Sequence, residues 1–125
     1  MQYDMLLKGG YVIDPKNGLD SKMDVAINDG KIAAVDRQLA ASEAAKAIDV
    51  SGFYVTPGLI DLHIHSYGYA GWTFPDEYAF PNGVTTVVDA GGSGYKNFED
   101  FKGTVIDRAR VRLLVLLNIV GSGML

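Results

Sequence analysis

The sequence contains no cysteine, which excludes a disulfide framework and any metal site built on thiolates. Basic residues are also few: 11 Lys and Arg stand against 15 Asp and Glu, for a net charge of −4, and they form no cluster. We therefore expect no nucleic acid and no membrane surface among the partners. The one long apolar run, Val111 to Val120, is interrupted by Arg112 and Asn118 and is too short to cross a bilayer. Since the first residues lack the apolar core of a signal peptide, we expect a cytoplasmic protein.

Histidine is almost as scarce as cysteine, and both copies lie one residue apart in "PGLIDLHIH", residues 57–65. Because side chains alternate along a strand, His63, His65 and Asp61 share one face, and the apolar residues between them are expected to face the core. Neutral imidazoles are good zinc ligands, so the pattern suggests one ion bound by both histidines, with polar residues satisfied within a strand as the alternative. We interpret Asp61 as a carboxylate that orients a ligand, with direct ligation as the alternative.

The chain divides into two parts of different character at Pro57-Gly58. Residues 1–56 alternate short apolar runs with turn signals such as Asn28-Asp29-Gly30, which predicts a hairpin, and Gly9-Gly10, which is expected to separate two short strands. This pattern is typical of half of a small β-sandwich. Residues 57–125 read as strand, helix, strand, helix, strand, which indicates an α/β fold with a parallel sheet.

Two helices and a glycine-rich strand end define the second part. Pro75 is predicted to begin a short helix in "PDEYAF". "GVTTVVDAGGSG" is predicted to be a buried strand that ends in a glycine-rich loop. In "NFEDFKGTVIDRAR", Asn97 is a candidate helix cap, and three apolar residues fall on one face: Phe98, Phe101 and Val105.

Residues near these strand ends are further candidates for a site. Asp89 ends the second strand, where catalytic residues of α/β barrels gather, or it caps the glycine turn that follows. Three aromatic residues follow the histidine strand and either line a substrate pocket or pack beneath the loop: Tyr67, Tyr69 and Trp72. The glycine run at residues 91–94 lacks the spacing of a dinucleotide site.

These features resemble the opening third of a metal-dependent amidohydrolase, most closely the dihydroorotase-like deacetylase branch. The resemblance covers essentially all 125 residues, and it is carried mainly by "VTPGLIDLHIH" and "GVTTVVDAG". It implies a small N-terminal β-sandwich in residues 1–56, followed in residues 57–125 by the first three strand–helix units of a TIM-like (β/α) barrel. It also implies that His63 and His65 bind one or two zinc ions, or another divalent metal in their place.

The resemblance also implies that the chain is truncated relative to its family. A complete barrel of this type needs roughly 250 residues. The other family residues, which are a carboxylated lysine or its equivalent, two more histidines and a catalytic aspartate, have no match here, because there is no third histidine. We therefore expect an N-terminal part of a larger enzyme that is inactive by itself.

For that parent enzyme the resemblance implies hydrolysis of an acyl bond, amide or ester, of a small molecule by metal-activated water, and a homo-oligomeric full-length protein. Dihydroorotases generally carry an arginine two positions after the second histidine, where this chain has Tyr67. A deacetylase-like activity is therefore expected, with a cyclic amidase of the dihydroorotase or hydantoinase type, or a deaminase, as the alternative. The alternative of another class is a non-catalytic, β-rich binding or assembly remnant.

Overall fold

The computed structural model describes residues 2–68 and 70–124. The chain folds into two compact units, Met1–Pro57 and Gly58–Leu125. The predicted α/β class is confirmed, since both units contain sheets and the second also contains helices. Within the described ranges the helices are too short or too polar to span a lipid bilayer.

The first unit is built around one sheet of five strands. Its order is β3-β2-β1-β4, with β5 also paired to β1, so that β1 lies antiparallel to β2 and parallel to β4 and β5. The second layer of the expected sandwich stays a prediction. The five strands are β1 (Tyr3–Asp14), β2 (Leu19–Asn28), β3 (Lys31–Asp36), β4 (Ala44–Asp49) and β5 (Tyr54–Val55).

The predicted hairpin is present between β2 and β3. Asp29 and Gly30 have φ angles of 50° and 68°, as the two central residues of a type I′ turn require, and this turn matches the twist of antiparallel strands. The expected break at Gly9-Gly10 is wrong, because β1 continues through it with an irregularity in its pairing to β2. The Gly9 amide donates to the side chain of Asp24, so the chain stays in the sheet there.

Asp24 is the buried polar centre of the first unit, at 3% exposure. Its carboxylate accepts from Lys8 Nζ at 2.5 Å, from the Gly9 amide at 2.8 Å and from the Leu39 amide at 2.9 Å. Burial acts to raise the pKa of Asp24, but the hydrogen bonds from Lys8, Leu39 and Gly9 outweigh it, so the pKa is lowered. The carboxylate therefore fastens β1, β2 and the segment after β3 to one another.

The second unit alternates strands and helices as the sequence predicts. Its three strands form a parallel sheet in the order β6-β7-β8. Pro75 opens the first helix, as predicted. The elements are β6 (Leu59–Ile64), α1 (Pro75–Ala79), β7 (Val84–Gly94), α2 (Phe98–Thr104) and β8 (Arg112–Asn118).

The core of the second unit lies where the helices meet β7. Of the predicted apolar face, Phe101 in α2 and Val105 directly after it are buried, whereas Phe98 is half-buried. The expectation that the apolar face of β6 is core is wrong for Ile60 and Leu62, which are 61% and 71% exposed. The described helices of this unit pack on β7. Ile64 alone of that face packs against the buried cluster.

The end of β7 differs from the prediction of a glycine-rich loop. β7 continues as a strand to Gly94, which pairs with Asn118 of β8. Asn97 occupies the cap position of α2, but its side chain makes no capping hydrogen bond. Instead Asn97 Oδ1 accepts from the Gly94 amide at 2.9 Å and Nδ2 donates to the Ser122 carbonyl at 2.9 Å. Asn97 therefore links the carboxyl end of β7 to the segment that follows β8.

Alanine at Gly94 is expected to lower the free energy of unfolding by about 1–3 kcal/mol, the usual cost of overpacking. A Cβ atom there would overlap the carbonyl oxygens of Val120 and Gly121. Gly103→Ala is the matched control. Gly103 lies in α2, and a Cβ atom there would have no neighbouring atom within 4 Å. It is expected to stabilise the protein by about 0.5–1 kcal/mol. Denaturant unfolding measures both variants, and equal effects would contradict the close packing at Gly94.

Candidate metal centre

The two histidines lie together at the carboxyl end of β6. His63 is within the strand and His65 directly follows it. Their ring centroids are 5.1 Å apart and the rings are nearly perpendicular, at 88°. Both rings line one open cavity, together with Asp61 and Tyr78. The structure therefore brings together the three residues that the sequence pattern grouped on one face.

The spacing of the two rings fits a shared metal ion. Zinc binds imidazole nitrogen at about 2.0–2.1 Å in tetrahedral geometry, which places the centroids of two ligating rings about 5 Å apart. The observed separation of 5.1 Å agrees with that value. Among residues 2–68 and 70–124, no group of three or more His, Asp or Glu side chains is arranged to hold a metal. The described residues thus fit two ligands of an ion and not a complete coordination shell.

Asp61 holds the histidine strand against α1. Its Oδ1 accepts from the His63 amide at 3.0 Å, and its Oδ2 accepts from the Tyr78 hydroxyl at 2.6 Å. The hydrogen bond from Tyr78, and after it that from the His63 amide, lowers the pKa of Asp61, while Asp61 raises the pKa of Tyr78. Both oxygens already accept hydrogen bonds, which suits an orienting acceptor better than a metal ligand. Sequence reasoning missed Tyr78, because nothing in "PDEYAF" marks it as a partner of the strand.

Asp89 is fully buried beside the same strand end, where it pairs in the sheet with Ile64. Its Oδ2 accepts from the Ser66 amide at 2.7 Å and from the Ser66 hydroxyl at 3.0 Å. Its Oδ1 accepts from the Gly92 amide at 2.7 Å. A carboxylate with 0% exposure does not reach a substrate, so the geometry favours the capping alternative over a catalytic one. Ser66 was not recognised from the sequence as its partner.

Of the aromatic candidates, Tyr67 contacts α2. The Tyr67 ring lies 4.8 Å from that of Phe101, and its hydroxyl donates to Asp100 at 2.7 Å. Burial, and then the hydrogen bond to Asp100, raises the pKa of Tyr67 to about 12. Tyr67 thus packs against α2. Trp72 is about half exposed in the loop before α1, and a substrate contact for it stays a prediction. Tyr69 lies outside the described residues.

Known proteins are similar to this chain in both sequence and fold. It is 38% identical over 113 residues to a deacetylase of Agrobacterium fabrum, which covers 87% of this chain. It is 53% identical over 62 residues, or 50% of its length, to a dihydroorotase of Citrifermentans bemidjiense. The crystal structure of a dihydroorotase superposes on 95% of the chain, with a TM-score of 0.80 and 34% identity.

The similarity is limited to one part of these relatives. The chain spans 28% of the deacetylase, 15% of the dihydroorotase from C. bemidjiense and 32% of the dihydroorotase crystal structure. No family model matches the chain. Since the matched deacetylase segment covers most of this chain, the likeness extends across both compact units.

Proposed function

Because this chain belongs to the amidohydrolase superfamily and matches the N-terminal portion of its dihydroorotase-like members, we propose that it supplies the first metal-binding strand of a zinc-dependent hydrolase. The substrate of that enzyme is a small molecule with an acyl bond, amide or ester. The observation that carries the proposal is the pair of imidazoles at the carboxyl end of β6, 5.1 Å apart on one cavity. In barrels of parallel strands, the active site lies at this end.

The share of the chemistry that falls to this chain is binding and orientation. A bound zinc ion lowers the pKa of a water molecule and polarises the substrate carbonyl. His63 and His65 would hold that ion. Asp61 accepts hydrogen bonds from the His63 amide and from the Tyr78 hydroxyl. These bonds connect the strand that carries both histidines to α1. Residues that transfer protons during hydrolysis are proposed to come from other parts of the enzyme.

The surroundings of Tyr67 favour acyl hydrolysis over dihydroorotase activity. A dihydroorotase-type site would use a cation at this position to bind the substrate carboxylate. Here a neutral phenol occupies it, and its hydroxyl is engaged by Asp100. The second candidate, a cyclic amidase, is supported by the 53% identity to a dihydroorotase over 62 residues. The two candidates therefore differ in one measurable property, the preferred substrate.

Small N-acyl and O-acyl compounds are expected to be hydrolysed with kcat/KM at least about tenfold above that for dihydroorotate, a difference of about 1.4 kcal/mol in transition-state binding. The measurement uses the zinc-loaded full-length enzyme with both substrate panels. Tyr67→Phe is the matched control: it removes only the hydroxyl that binds Asp100 and is expected to leave the ratio unchanged. A preference for dihydroorotate would overturn the acyl proposal and support the cyclic amidase.

A further inference from the structure

We propose that Asp89 is a positioning residue for His65, acting through the backbone and hydroxyl of Ser66. The inference rests on the proposed function, because it concerns the same metal centre. Asp89 itself is fully buried, and its carboxylate accepts hydrogen bonds from Ser66 and Gly92. Its role is to fix the point at which the histidine strand ends.

The first step is the contact between Asp89 and Ser66. Two of the three described hydrogen bonds of the Asp89 carboxylate come from Ser66, the residue directly after His65. A carboxylate that accepts the backbone amide and the hydroxyl of one residue holds both its position and its orientation. The Cα atom of His65 is only one peptide unit away from the Cα atom of Ser66. The chain is held by β6 directly before His65 and by the carboxylate of Asp89 directly after it.

The second step is the contact on the other side of Asp89. The third hydrogen bond comes from the Gly92 amide. The two strands are already paired at Ile64 and Asp89, but the pairing is irregular between Asp61 and Ile64. Regular sheet pairing is therefore interrupted in the stretch of β6 that carries His63. Asp89 ties the end of β6 to the glycine run of β7, so β7 sets where His65 lies.

The third step distinguishes positioning from general stability. The chain contains a second buried carboxylate of the same kind, Asp24, which also accepts two backbone amides. It lies in the other compact unit, and its partners are not next to a candidate ligand. Loss of Asp24 tests the cost of removing a buried acceptor. Loss of Asp89 tests that cost together with displacement of His65.

Asp89→Asn is the variant that tests the inference. The asparagine side chain has one oxygen acceptor where the carboxylate has two. Its NH2 group must therefore face the backbone N–H of Ser66 or of Gly92, and two donors cannot form a hydrogen bond. Zinc affinity of the full-length protein is expected to fall by at least about tenfold, the lower end of the loss caused by removing an orienting contact. The absorption spectrum of the cobalt-substituted protein should also change. Asp24→Asn is expected to lose stability but to keep wild-type zinc affinity and cobalt spectrum.

Unchanged zinc affinity and cobalt spectrum in a folded Asp89→Asn protein would overturn the inference, as would equal losses in the Asp24→Asn and Asp89→Asn proteins. If Asp89→Asn does not fold, Ser66→Ala decides, since it removes one hydrogen bond of the three. It should weaken zinc binding by a factor of about two to five, as the loss of one modest hydrogen bond would. Wild-type affinity in Ser66→Ala would then reject the role of Asp89.

Failure of the proposed function gives a different result. If His65→Ala binds zinc as tightly as the wild type, the metal centre itself is wrong, and the inference falls with it. Hydrogen exchange of the metal-free protein reports on the contact separately. The Ser66 and Gly92 amides are expected to be protected in the wild type and less protected in Asp89→Asn. Equal protection in the two proteins would overturn the contact whatever the metal does.

Discussion

Loss of nearly all metal-dependent hydrolysis is the expected result of replacing either His63 or His65 by alanine in the full-length enzyme. Each substitution removes one of the two imidazoles that the structure places 5.1 Å apart. Loss of an outer contact to a metal ligand costs about 10- to 100-fold in affinity or activity. Loss of a ligand should therefore lower kcat/KM by more than about 100-fold and reduce the bound zinc. Metal analysis and steady-state kinetics on the same preparation measure both.

Lys102→Ala provides the control for these histidine variants. Lys102 is exposed on α2 and pairs with Asp107 at the surface, a contact that contributes little to stability. Its substitution should leave zinc content and turnover unchanged. Full zinc content with near-normal turnover in either histidine variant would show that the ligand assignment is wrong.

A polypeptide of residues 1–125 alone is expected to show no hydrolase activity with added zinc and to associate in solution. The described residues supply two imidazoles to the candidate centre and no third ligand group. The edge strand β8 and the segment after it expose Leu116 at 61% and Ile119 at 97%, while β6 exposes Leu62 at 71%. Open strand edges with exposed apolar side chains pair with other chains.

Light scattering combined with an activity assay tests both halves of this expectation. The activity assay uses the substrates hydrolysed by the full-length enzyme, at several zinc concentrations. Replacing Leu116 and Ile119 by Lys should reduce association without restoring activity, because it removes exposed apolar surface and adds no ligand. A monodisperse monomer of residues 1–125 that turns over substrate would contradict the assignment of the remaining ligands to other parts of the enzyme.

Local sequence signals predicted most of the secondary structure. Asp29-Gly30 fixes its turn through backbone angles that few residues adopt, and Pro75 begins its helix as expected. The continuity of β1 and the extension of β7 through Gly94 were missed, because both depend on distant partners. The Gly9 amide donates a hydrogen bond to Asp24, and Gly94 pairs with Asn118 in the sheet. Both partners are too far away in sequence for a local pattern to indicate them.

The candidate site was predictable only where alternation along one strand defines it. His63, His65 and Asp61 were grouped by period alone, and the structure places them on one cavity. Tyr78 and Ser66 were recognised only from the structure. Each donates a hydrogen bond to a carboxylate that belongs to a different secondary-structure element. The sequence also could not show which way Tyr67 faces. Its place after the histidine strand left both a substrate pocket and packing beneath the loop open, and in the structure its ring packs on Phe101 of α2.

The way the strands are connected sets an order of folding events. β2 and β3 meet through the two-residue turn at Asp29-Gly30, and hairpins of this kind close in about 1–10 μs. β6 and β7 become neighbours only after a crossover that contains α1, and non-local parallel pairing is slow because the loop entropy is lost before contacts compensate for it. The hairpin is therefore expected to form early during synthesis. The pairing of β6 with β7, which places Ile64 opposite Asp89 beside the two imidazoles, is expected to form later.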